Sequence, residues 1–212
     1  MTVPRPTRDA QATRQRLLKA ALELYTSDGF LGTTTPAIAA HAGVAEGTIY
    51  RHFPGKEALF NAAYRHAQSW AASLLKELEA ERTLKAPERL SRLAKRLLEG
   101  AATDPPVARM VLTPRDQRFL DDSSRKAALD FHQGLQHVVA MGKSDGQVRP
   151  GPAELWASVW LALIGFAGER ISSGEWTPDH PQVSHVVEAA WDAIAARERV
   201  SGPLPTPAPP ST

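Results

Sequence analysis

The sequence contains no cysteine, which excludes disulfides, thiolate catalysis and cysteine-containing zinc sites and agrees with a reducing compartment. Long apolar runs are scarce too. The first seven residues, Met1 to Thr7, lack the apolar stretch of a secretory signal, and the most apolar region, Leu155 to Ile171, is interrupted by Ser158, Gly165, Gly168, Glu169 and Arg170. No membrane partner is expected, and a cytoplasmic location is. Net charge is small at +2 over 212 residues, so the total makes no case for a polyanionic partner, although residues 1–66 hold eight Lys/Arg against five acids. Catalytic signatures are missing: there is no His-Glu-x-x-His, no Gly-x-Ser-x-Gly and no glycine-rich phosphate loop. The pairs His132/His137 and His180/His185 stand five residues apart, a poor spacing for a shared metal on one helix face. Neither enzyme chemistry, cofactor nor metal is expected.

What the sequence has in abundance is apolar residues at three- and four-residue spacing, with no period-two alternation, which predicts an all-α fold of about nine helices. A first helix runs from about residue 9 to Ser27, with Leu17, Ala21, Leu24 and Tyr25 inward and Gly29 as a left-handed cap. Thr33, Thr34 and Thr35 offer hydroxyl caps for a short second helix reaching His41, with Pro36 in its first turn. Gly43 breaks it, and a third short helix covers about Ala45 to Phe53, ended by Pro54-Gly55. From Lys56 a long helix buries Leu59, Ala63, Tyr64, Ala67, Trp70, Leu74 and Leu78. A helix from Pro87 is stopped by Asp104-Pro105-Pro106, and Val107 to Leu112 is ambiguous. Thr113 to Asp122 reads as a charged connection. Helices follow over Ser123 to Met141, ended by Gly142, and over about 152–172 and 181–197. The division expected is a basic arm over 1–8, a unit of short helices over 9–55, a larger helical body over 56–199, and a disordered proline-rich tail over 200–212.

Residues 34–53 have the parts of a DNA reader: a supporting helix, a glycine at the reversal, and a short helix of small and polar residues. Small side chains at Ala45, Gly47 and Thr48 let a backbone approach base edges, and Thr48 offers a hydroxyl or a methyl. Tyr50, Arg51, His52 and Lys56 supply donors for phosphate oxygens, and Lys56 adds its charge to the free N–H groups of a helix start. An ordinary helical hairpin is the competing interpretation. Tyr50 alone fits a core aromatic equally well, whereas Phe53, Ile38, Ala39 and Val44 read as packing residues and His41 as a surface residue.

The stretch Gly32 to Phe60, GTTTPAIAAHAGVAEGTIYRHFPGKEALF, extended back through Arg16 to Tyr25 and Asp28-Gly29-Phe30, resembles the N-terminal signature of TetR-family transcriptional regulators. The resemblance covers about the first third of the chain. It implies a three-helix DNA-binding domain on a helical ligand-binding body, working as a homodimeric repressor released from its operator by a small molecule. It also implies Thr34 and Thr35 at a helix cap near phosphates, Gly47 and Thr48 at base edges, and Tyr50, His52 and Lys56 on the sugar-phosphate backbone. The chain departs from the family where Pro36 replaces a frequent basic residue and Ala45-Glu46 a frequent Ser-Lys. Turned into the groove, Glu46 would accept from cytosine N4; against phosphate it would repel. Arg51, and Arg5 and Arg8 on the arm, are the compensating cations.

For the body, Trp70, Met110, Phe119, Phe131, Met141, Trp160 and Phe166 are either core or the wall of an apolar cavity. Trp70, Met110, Phe131 and Trp160 are the ligand-lining candidates, with His132, and next to it Gln136, as polar anchors. On the helix from Pro152, Ser158, Ala162 and Gly165 recur at helical spacing and would admit a close helix, either the same helix of a second copy or a neighbour in the same subunit. The resemblance favours the former, a homodimer through helices 152–172 and 181–197. Two further readings stay open: a scaffold whose helix-turn-helix has lost operator recognition, and a helical enzyme that no residue set recommends.

Overall fold

The computed structural model describes residues 8–81, 83–113 and 117–196, and these are predominantly helical. The N-terminal part holds α1 (Arg8–Ser27), a single turn α2 (Gly29–Gly32), α3 (Thr35–Ala42) and α4 (Gly47–His52). The body holds α5 (Lys56–Glu79), α6 (Ala86–Thr103), α7 (Pro105–Leu112), a 3-10 turn (Gln117–Phe119), α8 (Asp122–Ser144), α9 (Ala153–Ser172) and α10 (Pro181–Asp192). The one extended pairing among the described residues is an antiparallel bridge between Val148 and Ala195. Residues 1–7, including Arg5, and the tail beyond 196 lie outside the described residues, whereas Arg8, placed on the arm by sequence, opens α1.

Among the described residues ten α-helices stand where about nine are expected, and each difference has a local cause. Gly29 is left-handed as expected, with φ 73°, but the chain winds once more before leaving. That turn is held by the buried Thr33 hydroxyl, which donates to the Gly29 carbonyl at 2.7 Å. Pro105 and Pro106 do end α6, and they also open α7 at once, because a first helical turn needs no proline N–H. Gly142 does not end α8: a Cβ there would lie 2.7 Å from the Ala86 Cβ and 2.9 Å from the Val148 Cγ2, so the glycine admits neighbouring elements inside a continuing helix. The last helix stops at Asp192, short of 197, since the chain turns to lay Ile194 and Ala196 beside residues 147–149.

α5 carries the body. At about 1.5 Å per residue its 24 residues run roughly 36 Å, packing against α1 at one end and α6, α7 and α8 along its length. Leu59, Ala63, Tyr64, Ala67, Leu74 and Leu78 are buried as expected, and so are the polar Asn61 and Gln68. Trp70 is half-buried instead, its indole covering Gly100 of α6 so closely that a Cβ there would collide with the ring.

Candidate nucleic-acid interface

The reader begins with α1, whose buried Leu17, Ala21 and Tyr25 form part of one core with Ile38 and Ala39 of α3 and Ile49 of α4. The turn between α3 and α4 has two fasteners. Gly43 takes the left-handed conformation, φ 64°, with its N–H on the carbonyls of α3, a conformation that costs a side-chain-bearing residue about 1 kcal/mol or more. Across from it, the Arg16 guanidinium donates to the carbonyls of Ala42 at 2.5 Å and Gly43 at 2.9 Å. Cations at a helix C-terminus satisfy orphan carbonyls and oppose the helix dipole. Phe53 is buried at the far end, with the Arg14 guanidinium 4.9 Å from its ring centre.

Against this frame α4 turns a bare face outward. Thr34 is the α3 cap, its hydroxyl accepting from the Ala37 N–H at 3.3 Å, and the half-buried Thr35 hydroxyl stands 3.5 Å from that of Tyr50. Ala45 and Glu46 precede α4 in a turn rather than lying within it, and both are exposed. The Glu46 carboxylate caps nothing, although its carbonyl accepts from the Ile49 N–H at 3.0 Å. Gly47 is exposed, has no left-handed φ, and would meet no atom within 4 Å if given a Cβ. Nothing inside the subunit requires a glycine there. Thr48 and His52 are half-buried, Arg51 is exposed without an ion pair among the described residues, and Tyr50 is 55 % exposed, which removes the core interpretation of that ring. His41, also on the surface, meets Glu23 at 2.5 Å.

Lys56 opens α5 as expected, and its side chain is engaged inside the subunit. Its ammonium lies over the Phe30 ring, 4.2 Å from the centre, half-buried, and loss of solvent draws its pKa below the ordinary lysine value. Its carbonyl accepts from the Tyr25 hydroxyl at 3.1 Å, and burial raises the pKa of that phenol. Phe30 in turn stacks on Phe119, ring centres 4.1 Å apart. Residues 119–121 are clamped by the buried Asn61: its amide donates to the Phe119 carbonyl at 2.9 Å and accepts from the Asp121 N–H at 2.8 Å. Asp121 caps α8 through the Ser124 N–H at 2.7 Å and takes Arg65 on both oxygens. Although burial pushes its pKa up, the hydrogen bonds from Ser124 and the Arg65 guanidinium hold it below the usual carboxylate range. The reader is thus joined to the body by a run of aromatic and hydrogen-bonded contacts from α2 to the start of α8.

In the body, a half-open cleft of about 530 Å³ lies between α5, α7, α8 and α9. Met110 and His132 line it. Trp70, Phe131 and Trp160 do not: Trp70 covers α6, and the other two rings are fully buried in the core. Bulk and aromaticity marked them out, and the same properties make a side chain good core filling. Gln68, which sequence reasoning missed, does line the cleft. Its signal was a polar residue on the buried stripe of α5, one turn from Tyr64 and from Ala71. Ser158, Ala162 and Gly165 line it as well, and at Gly165 the close neighbour is in the same subunit, since a Cβ would come within 2.9 Å of the Leu112 carbonyl.

The sequence pattern of bacterial regulatory proteins of the tetR family matches residues 17–63, from the middle of α1 to the first turns of α5. Nucleoid occlusion factor SlmA of Marinobacter nauticus is 32% identical over 155 residues, 71% of this chain and 74% of that protein. A TetR-family transcription regulator from Marinobacter aquaeolei VT8 superposes with a TM-score of 0.74 at 21% identity, covering 91% of this chain and 100% of the other. FadR of Bacillus subtilis, in complex with stearoyl-CoA, superposes with a TM-score of 0.65 at 19% identity, covering 85% and 98%. No described helix is long and apolar enough to cross a membrane. With the helix-turn-helix and the body each matched, the chain belongs to the TetR family of DNA-binding bacterial regulators.

Proposed function

We propose that this regulator is a cytoplasmic homodimeric repressor that binds a palindromic operator and releases it when a small apolar or amphipathic molecule enters the body. The observation that carries the DNA contact is the outward face of α4, where Gly47 has empty space around it and Tyr50 is 55 % exposed. Ala45, Glu46, Gly47 and Thr48 meet base edges, with Glu46 taking a cytosine N4–H. Thr34, Thr35, Tyr50, Arg51 and His52 hold phosphates, and Lys56, from its seat on Phe30, reaches one at the edge of the site. Leu155 and Phe166 are exposed on α9 together with Ser158 and Ala162. That face, with α10, is the seam of the dimer, which sets two reading helices about 34 Å apart along the duplex. A fold relative bound to stearoyl-CoA supports a ligand-holding body, and no catalytic role is assigned.

Release requires the ligand to prefer one conformer, and a coupling of about 1–3 kcal/mol would change operator affinity roughly 5- to 150-fold. The route runs from the cleft along α5 and α8 to Asp121, Asn61, Phe119 and Phe30. Selection from a random DNA pool, followed by a salt titration of the best site, tests the DNA reading. A two-fold-related motif bound with strong salt dependence is expected. The absence of sequence preference at every ionic strength would instead favour a scaffold, the reading that Pro36, Ala45 and Glu46 motivate.

A further inference from the structure

The lining of the body cleft constrains the chemistry of what enters it, and any effector assigned to it presupposes the ligand-regulated DNA binding proposed for this chain. Gln68 is 2 % exposed, and its Oε1 has no hydrogen-bond partner. Buried polar atoms are almost always paired, so an orphaned carboxamide oxygen beside a cavity marks a group awaiting a donor. The same side chain also borders a second cleft of about 400 Å³ between α5 and α8, so it stands as a partition between two spaces. His132 faces the first cleft, with its Nδ1 2.8 Å from the Ala128 carbonyl. A carbonyl only accepts, so Nδ1 donates to it, the tautomer that leaves Nε2 to accept. Two acceptors therefore serve one cleft.

Counter-charge points the same way. Among the described residues no lysine or arginine lines the cleft, and the one acidic residue there, Glu169, is 3.2 Å from Arg109. An anionic head would leave water with no cation among the described lining residues to receive it. The remaining wall is largely apolar, with Met110, Leu161 and Phe166 among its members. We infer that the effector is an amphiphile whose head donates O–H or N–H hydrogen bonds and carries no negative charge, seated with that head toward Gln68 and His132 and its apolar part along α7 and α9.

Calorimetric titration of the full chain with decanol, decylamine and decanoate, matched in length and kept below their aggregation concentrations, tests this. The alcohol and the amine are expected to bind, and decanoate at least about tenfold more weakly. Gln68→Leu, which removes the acceptor at nearly constant volume, should weaken decanol binding about five- to tenfold without lowering the melting temperature, because no satisfied bond is lost. Should Gln68→Leu fail to fold, the half-buried His132→Phe is expected to weaken decanol binding by a similar factor. Decanoate binding as well as decanol, binding by none of the three, or variants that leave decanol affinity untouched would each overturn the assignment. Failure here is separable from failure of the regulatory reading. Salt-dependent, sequence-selective DNA binding by a protein that ignores all three probes sinks only the effector class, whereas decanol binding without DNA selectivity sinks only the operator.

Discussion

Single residues divide into those the subunit uses and those it leaves unused. Arg14, Arg16 and Lys56, three of the cations in the N-terminal segment, are engaged with Phe53, the α3 carbonyls and Phe30. Tyr50 and Arg51 are not consumed in this way. Tyr50→Ala is therefore expected to weaken operator binding about five- to tenfold per half-site, the loss of one good polar contact and its stacking surface. The melting temperature should stay within a few degrees, because a ring 55 % exposed contributes little to the core. Fluorescence anisotropy on the selected operator together with a thermal melt checks both; a large drop in stability with unchanged affinity would return Tyr50 to the packing residues.

Among the elements, α8 is fastened at its start by a charge, and that gives it a pH dependence. The Asp121 carboxylate is stabilised by Ser124 and Arg65, so its pKa in the fold lies below its unfolded value. A depressed carboxylate stabilises the fold at pH above the unfolded pKa, and the contribution is lost as pH falls through the folded pKa. Asp121→Asn keeps a side-chain acceptor for the Ser124 N–H but removes the charge. The variant should be less stable than the parent at neutral pH, and the gap should close in acid, below about pH 4, as measured by denaturant unfolding across pH. An unchanged gap at low pH would assign the effect to packing. Element by element, the sequence was readable wherever one face had to be apolar: α1, α5, α8 and α9 all lie where periodicity puts them. It was less readable where side-chain to backbone bonds decide the ending. The extra turn of α2 depends on the inward Thr33 hydroxyl, and the run of α8 through Gly142 is set by close approach to Val148 and to Ala86, the latter distant in sequence.

At the level of the whole molecule, reader and body meet where Phe30 stacks on Phe119. Phe119→Ala should leave ligand binding intact while reducing the ligand's effect on operator affinity from the proposed 5- to 150-fold to less than about twofold. Anisotropy with and without the effector reads this directly, and undiminished coupling would move the route to α7, which also packs against α1. The reader was legible because its demands are local: a cap at Thr34, a left-handed Gly43 and a small-residue helix stand in a row. The cleft was not, since its lining comes from four helices, and nothing in sequence separates the aromatics that fill the core, Phe131 and Trp160, from the glutamine left without a partner.

The indole of Trp70 fills the space where a side chain at position 100 would begin. Sites 70 and 100 therefore exclude each other's bulk. A relative that bears anything larger than glycine at the second should have given up the tryptophan at the first, whereas the tryptophan can be lost with the glycine kept.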